Sequence, residues 1–357
     1  MTHRKIALIV FIFFLILNID AQNLRSIKNE LFKDTNWYGS PESIEIGENV
    51  LLFQKVNGGW PKNNRLFKKK FSVEEKRAQL NLKKETKEAT IDNSATYMEM
   101  LFMAKMYQAT KNAIYKDAFC NGLTFIFKIQ YENGGFRQFD RNTGYYTHIT
   151  FNDNATNNVL QLLRAIAAEN ILFKDMTNDS VINKAKIAFE KGISCILKTQ
   201  YIQNGKKTVW CAQHDEITLL PAKARAYELP SLSGSESVGL VQLLMDLPNP
   251  DQNVKDAING AMEWFDKNRI TDHRVQRFTN EEGKFDLRWI KSNDGEDLWG
   301  RFCDLDTNRA FVSDRDGIVK YDISEIGYER RTGYGWYSSE PNKLFAQYAK
   351  WKELYQK

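Results

Sequence analysis

The chain has 357 residues, 27% of them charged and 42% hydrophobic, with only 7 Pro and 20 Gly. That balance excludes a disordered, collagenous or disulfide-framework protein and leaves enough apolar residues for a sizeable core in one large domain or two ordinary ones. The net charge of +5 is only mildly basic, and 45 aromatic residues exceed what a core needs, which suits the lining of a groove.

In chain order, Arg4 and Lys5 precede an unbroken apolar run from Ile6 to Leu17, and Ala21 offers a small residue for cleavage. The run is too short for a bilayer crossing, so residues 1–21 read as a secretory signal peptide and residues 22–357 as the mature protein. No later apolar run is long enough for a membrane helix, and no Cys lies near the cleavage point for a lipid anchor. The expectation is a periplasmic or secreted monomer without a membrane anchor. Nucleic acid is not an expected partner for an exported protein, whereas local Arg and Lys clusters would serve an acidic polymer. Cys120, Cys195, Cys211 and Cys303 allow up to two disulfides outside the cytoplasm, in three full pairings, and none has a C-x-x-C spacing.

Beyond the leader the pattern is helical. Tyr97, Met100, Leu101, Ala104 and Tyr107 recur at steps of three and four and predict a helix over 94–108. A second, over 113–129, is stopped by Gln130-Tyr-Glu-Asn133-Gly134-Gly135-Phe136. Helix pairs return at 154–170 with 181–199 and at 235–247 with 254–269. The closing turns Gln54-Lys-Val-Asn57-Gly58-Gly59-Trp60 and Gln130–Phe136 match, and Gln200-Tyr-Ile-Gln-Asn204-Gly205 is a looser copy. Helical hairpins cannot bury their apolar faces alone, so the expected fold is all-α, an α/α toroid (incomplete α/α barrel) of stacked hairpins in one domain with long functional loops on one face.

Two loops before helices, Thr90-Ile-Asp92-Asn93-Ser-Ala-Thr96 and Thr150-Phe-Asn-Asp153-Asn154-Ala-Thr156, each carry an Asp-Asn pair. One such residue per loop is explained by N-capping. Two leave oxygen donors over, and carboxylates with amides suit a hard cation such as calcium. Asp92, Asn93 and Asp153 are the candidate ligands.

The segment 208–237 mixes every kind of ionisable group. His214 beside Asp215 and near Cys211 lacks the spaced second ligand that a zinc site needs and reads as a structural histidine. Lys223 and Arg225 alternate with Ala222, Ala224 and Ala226, which puts both on one side of an extended strand, placed to hold an anionic substrate. Further cations sit at Arg301, Arg309 and Arg315, and at Arg330 and Arg331 ahead of Thr-Gly-Tyr334-Gly-Trp336-Tyr337. Guanidinium forks bind carboxylates and flat rings such as Tyr334 cover sugar faces, so an acidic polysaccharide is the expected partner.

These segments together resemble the family 10 polysaccharide lyases, pectate lyases of α/α toroid fold that cleave polygalacturonate with calcium. The resemblance rests on Asn57-Gly-Gly-Trp-Pro-Lys62-Asn63, Thr90-Ile-Asp92-Asn93, His148-Ile-Thr-Phe-Asn-Asp153-Asn154-Ala, Val209-Trp-Cys-Ala-Gln-His-Asp215, Pro221-Ala-Lys-Ala-Arg225-Ala-Tyr-Glu-Leu-Pro, Ser231-Leu-Ser-Gly-Ser-Glu236-Ser and Tyr328-Glu-Arg-Arg-Thr-Gly-Tyr-Gly-Trp-Tyr337. It implies a β-elimination in which a base removes the C5 proton of a galacturonate, O4 is expelled and a 4,5-unsaturated sugar remains. It implies Arg225 as that base, Asp153 with Asp92 and Asn93 as calcium ligands, Asp92 engaging once substrate is bound, and Lys223, Arg309 and Lys62 on the uronate carboxylate. An arginine base must shed a proton held with a pKa above about 12, and Lys223, Arg309 and calcium are each expected to push Arg225 that way. The loop 136–146, with Arg137 and Arg141, is more polar than its family counterpart and is expected to alter subsites.

Two rivals remain. A glycoside hydrolase of similar fold, acting on uronic-acid saccharides with Asp92 and Asp153 as paired carboxylates, would need no calcium. A non-catalytic pectin binder would need only the aromatics and cations.

Overall fold

The computed structural model describes residues 27–356, so the expected signal peptide lies outside the described residues. Helix dominates. The α-helices are α1 (Pro41–Phe53), α2 (Val73–Leu82), α3 (Tyr97–Thr110), α4 (Ala113–Ile129), α5 (Ala155–Ala167), α6 (Asp179–Thr199), α7 (Glu236–Met245), α8 (Gln252–Lys267), α9 (Tyr328–Gly333) and α10 (Asn342–Tyr355). The expected helix 113–129 coincides with α4 at both ends, and the other five expected helices are present with ends shifted by a few residues. α3 starts late because Asn93, Ser94 and Thr96 all have positive φ, which no helix tolerates. α1 and α2 carry ordinary start signals: Ser40 accepts from the Ser43 N–H ahead of Pro41, and Ser72 with Glu75 forms a capping box. Among the described residues no helix is long and apolar enough to cross a membrane.

The chain divides into two compact units, an N-terminal one of residues up to Lys128 with Ala165–Asn183, and a C-terminal one of Ile129–Arg164 with Lys184–Lys357. Within both, the closing turns repeat in atomic detail. In the N-terminal unit Gln54 Nε2 donates to the carbonyls of Gly58 and Ala118, both at 2.8 Å. In the C-terminal unit Gln130 Nε2 donates to Gly134 and Ala188, and Gln200 Nε2 to Thr208 and Ala257. Each glutamine thus ties its own turn to the second helix of the hairpin that follows, α4, α6 and α8 in turn. Gly58 (φ +95°) and Gly134 (φ +94°) are required here: a β-carbon would sit 1.9 Å from the Asn121 carbonyl oxygen and 2.0 Å from that of Lys191. Trp60 and Trp210 also correspond, each buried with its indole N–H on a carbonyl of the preceding helix, Val50 and Ile196.

Strands are short two-stranded antiparallel ladders. In chain order they begin with β1 (Ile149–Thr150), β2 (Ile202–Gln203), β3 (Lys206–Lys207), β4 (Gln213–His214), β5 (His273–Thr279) and β6 (Phe285–Lys291), where β1 pairs with β4, β2 with β3, and β5 with β6 in the longest ladder. This hairpin departs from the all-helical expectation. Asn280 closes its turn, its side chain accepting from the Glu282 and Lys284 N–H groups. Val275, Leu287 and Trp289 pack against a cluster of Tyr227, Phe302, Phe311, Val312, Ile323, Ile326 and Trp336, which also supports Tyr334. All four cysteines are free thiols, so none of the pairings the sequence allows is formed, and burial pushes the Cys195 and Cys303 thiols up to about 12.

Candidate active site

The two Asp-Asn loops share one backbone course as far as Ser94 and Asn154, after which Ala95 is extended and Ala155 already helical. Ile91 and Phe151 sit near φ −101° and −108°, followed by left-handed residues at Asn93 and Ser94 in one and Asp153 and Asn154 in the other. A threonine closes each: Thr96 Oγ1 donates to the Thr90 carbonyl at 2.8 Å, and Thr156 Oγ1 to that of Thr150. Ser231 to Ser237 has the same six-residue spacing, and Ser237 Oγ accepts from the Trp210 N–H as Thr96 Oγ1 does from that of Trp60. Side-chain capping is not what the acids do, since Thr96 makes no cap bond and Asp92 Oδ1 accepts from the adjacent Asn93 N–H.

In the N-terminal unit Asp92 is buried, 3% exposed, and its Oδ2 is ion-paired with Lys62. Asn93 is exposed and donates to Asn63 Oδ1 at 3.1 Å. The predicted residues Lys62, Asp92 and Asn93 are therefore brought together.

In the C-terminal unit the acid at the turn is exposed instead: the Asp153 side chain is 40% accessible. Its Oδ2 accepts from Asn152 Nδ2 at 2.7 Å and its Oδ1 lies 3.3 Å from Arg301 Nη2. The same Nη2 donates to Asn152 Oδ1 at 3.0 Å and to Glu236. Glu236 is buried and also accepts from Ser233 Oγ. Burial opposes the Arg301 charge, yet Glu236 outweighs it and holds the guanidinium firmly protonated. The donors at Asp153 and Asn152 are oxygens of a carboxylate and an amide, the chemistry calcium prefers, and the Asp153–Arg301 contact is long enough to be shared or displaced.

Arg301 lies over the Tyr334 ring at 4.7 Å. The Tyr334 hydroxyl donates to Glu228 Oε1 at 2.8 Å, and Glu228 is buried. Onto this carboxylate Arg225 places its backbone N–H (3.1 Å), Nε (2.7 Å) and Nη2. Arg225 is thus joined to Asp153 through Glu228, Tyr334 and Arg301. Burial would lower the Arg225 pKa, but Glu228 outweighs it and raises it. The expected push from neighbouring cations is therefore not the dominant field at Arg225 in this state.

The other predicted cations stand differently. Lys223 is exposed, its Nζ beside Gly317. Arg309 stacks on the Tyr321 ring at 3.4 Å rather than joining a loop ion pair. In the polar loop, Arg137 is tied to Asp140 and Asn142, and Arg141 covers the Phe139 and Tyr146 rings. His214 is the structural histidine expected: fully buried, Nδ1 on the Leu219 carbonyl, Nε2 accepting from the Cys211 N–H, with burial pushing its pKa down to about 4. The β1–β4 ladder pairs Ile149 with His214, which sets His148 against Asp215 and Glu216, ligand atoms within 4.8 Å of one another. That set contains an imidazole, so it suits calcium less than the all-oxygen loop at Asp153.

Comparison with known proteins decides the family. Residues 54–345 match the model of the pectic acid lyase family. The chain belongs to that family. Among solved structures, the family 10 polysaccharide lyase from Cellvibrio cellulosa is 35% identical with a TM-score of 0.72, covering 89% of this chain and 95% of that one. A single-substitution mutant of the Cellvibrio cellulosa enzyme in complex with trigalacturonic acid is 34% identical with a TM-score of 0.74, covering 88% and 95%. A search of curated proteins gives no significant match. The protein is a polysaccharide lyase of the pectate lyase type, and its helical hairpins are compatible with the helical fold of those relatives.

Sequence reasoning assigned no role in this lyase to Glu228, Glu236 or Asn152, and counted Arg301 only among the cations suited to an acidic polymer. Glu228 carried a local signal, an acid three residues after Arg225. The partners of Arg301 carried none, because Asp153 and Glu236 are 148 and 65 residues away in sequence.

Proposed function

We propose that this lyase cleaves α-1,4-polygalacturonate by calcium-dependent β-elimination, with Arg225 as the base. The observation that carries the reading is the disposition of Arg225: Nε and Nη2 are held by Glu228, and among the described residues Nη1 has no hydrogen-bond partner, on a side chain 43% exposed. Once deprotonated, Arg225 takes the C5 proton at Nη1. The electron pair of that bond forms the C4–C5 double bond as the C4–O4 bond breaks, and O4 leaves as an alkoxide that acquires a proton.

Asp153 and Asn152 are the residues we assign to calcium in the C-terminal unit. When bound beside the uronate carboxylate, the ion would draw charge from the developing enolate and so acidify C5. Asp92 and Asn93 are proposed as further oxygen donors on chemistry alone, Asp92 becoming available when a substrate carboxylate draws Lys62 away. Lys223 and Arg309 are assigned to uronate carboxylates, and Tyr334 to the sugar platform. The trigalacturonic acid complex of the Cellvibrio relative supports the substrate class. We read the stacked hairpins as an α/α toroid in a single catalytic domain, and the run Ile6–Leu17 as the export signal of a monomeric periplasmic or secreted enzyme. A paired-carboxylate hydrolase is disfavoured because Asp92 is buried and ion-paired with Lys62 instead of facing a glycosidic oxygen.

Ultraviolet absorbance of unsaturated uronate, followed with polygalacturonate in calcium and then in excess chelator, tests the reading. Absorbance that needs calcium and is lost in Arg225→Ala supports it. Reducing ends rising without absorbance would replace it with the hydrolase, and binding without either signal would leave a pectin-binding module.

A further inference from the structure

A base on a long flexible side chain works only if one nitrogen is held where the substrate's proton will be. A free arginine carries about 2 kcal/mol of rotamer entropy. Around Arg225 the structure removes that freedom from one direction. The segment 225–228 is a tight turn, with the Glu228 N–H on the Arg225 carbonyl at 2.9 Å and the Ala224 N–H on the Glu228 carbonyl at 3.0 Å. This folds the Glu228 carboxylate back under the arginine, where it receives three donors from Arg225 and one from Tyr334. Its side chain is only 5% exposed, so the charge is not dissipated in water. Tyr334 is held in turn by Arg301 on its face and by Phe302 stacked at 6.0 Å.

We propose that Glu228 is the positioning residue for the elimination: it clamps two of the three guanidinium nitrogens of Arg225 and so presents Nη1 alone to the substrate. The inference rests on the reading of Arg225 as the base. Glu228 touches no reacting atom. It acts through Arg225, by orientation and by charge, and the two effects oppose each other. Orientation favours catalysis, because a near-attack geometry replaces a search among rotamers. Charge disfavours it, because a buried carboxylate on the guanidinium makes the proton harder to lose. The remaining ionisable groups facing the pair are Tyr227 and Arg330 beside the guanidinium, Tyr334 on the carboxylate, and Tyr145, which feels both charges.

The opposition gives a test that an ordinary structural ion pair would not pass. Glu228→Gln keeps the shape and an acceptor oxygen but removes the charge. The expected result is a kcat lowered by about tenfold with KM within about threefold, because aim and not affinity is lost. The alkaline part of the kcat profile should move to lower pH by about one unit, because Arg225 sheds its proton more readily. Glu228→Asp keeps the charge and should leave the profile in place while still lowering kcat. A folded Glu228→Gln protein with kcat within about twofold of the parent and an unmoved profile would overturn the proposal. Should Glu228→Gln not fold, Tyr334→Phe decides, since it removes one of the two donors on Oε1 while keeping the ring and both charges: a lowered kcat at unchanged KM supports the clamp, and an unchanged kcat overturns it. Arg225→Ala separates the two claims. An active Arg225→Ala protein sinks the base assignment, whereas an inactive one beside an unaltered Glu228→Gln sinks only the clamp.

Discussion

The loops 90–96 and 150–156 share their first five backbone positions and their closing threonine bond, and carry different charge on that common turn. Aligned by their closing threonines, Asp92 corresponds to Asn152 and Asn93 to Asp153. The third position is buried in both, 3% exposed for Asp92 and 5% for Asn152, and the fourth, left-handed position faces outward. In the N-terminal unit the carboxylate therefore sits at the buried position and needs Lys62. In the C-terminal unit an amide fills the buried position, stabilised by Arg301, and the carboxylate is turned out. One shift in sequence order separates a buried acid paired with Lys62 from an exposed one that shares Arg301 with Asn152 and Glu236.

The largest effect follows from the outward position. Asp153→Asn should lower the initial rate on polygalacturonate by about a hundredfold at fixed calcium, while its melting temperature stays close to the parent's. Equal loss of stability would erase the distinction.

The turns, in contrast, should respond alike in both units. Gly58→Ala and Gly134→Ala each force a left-handed residue against a carbonyl oxygen, and chemical denaturation should show a loss of about 1–3 kcal/mol from the backbone alone for each. A large loss at one and none at the other would break the repeat.

Titration distinguishes the units again. Buried Glu99 in the N-terminal unit is pushed up to about 7, and buried His214 in the C-terminal unit down to about 4. The unfolded Glu99 ionises near 4.5, so its contribution is lost as pH rises from there through 7. The unfolded His214 gains a proton near 6.5, so its contribution is lost as pH falls from there through 4. Each effect is worth about 3 kcal/mol at most, with opposite sign. Glu99→Gln should therefore raise the melting temperature increasingly between pH 4.5 and 7 and by a constant amount above. An increment independent of pH would contradict the burial argument.

The smallest effect belongs to Asp92. Asp92→Asn removes an ion pair whose Lys62 can turn to solvent, so the stability loss should be about 1 kcal/mol and the change in rate smaller than for Asp153→Asn, measured on the same substrate. A rate loss equal to that of Asp153→Asn would place both acids in one role.

What the sequence made legible was local. Helix α4 announced both ends through its apolar period and the Gly pair after it, and the Gln-to-Gly turns were visible because donor and turn carbonyl are four residues apart. The Asp-Asn pairs were visible too, but the pairs alone left open which acid is buried. Only the Thr90–Thr96 and Thr150–Thr156 bonds fix the alignment, and with it which acid is buried. The hairpin β5–β6 had its alternation and its Asn280 turn in the sequence, passed over by a reading tuned to helical pairs. The network from Asp153 to Arg225 depended on Arg301 and Tyr334, whose partners are 148 and 106 residues distant and leave no periodic trace.

The most direct test is a calcium titration of the initial elimination rate for the parent and for the double variant Asn152→Asp with Asp153→Asn, which moves the charge inward without changing composition. The account predicts saturable activation by calcium in the parent and none in the variant, whose carboxylate is captured by Arg301. Activation at the same calcium concentration in both would contradict it.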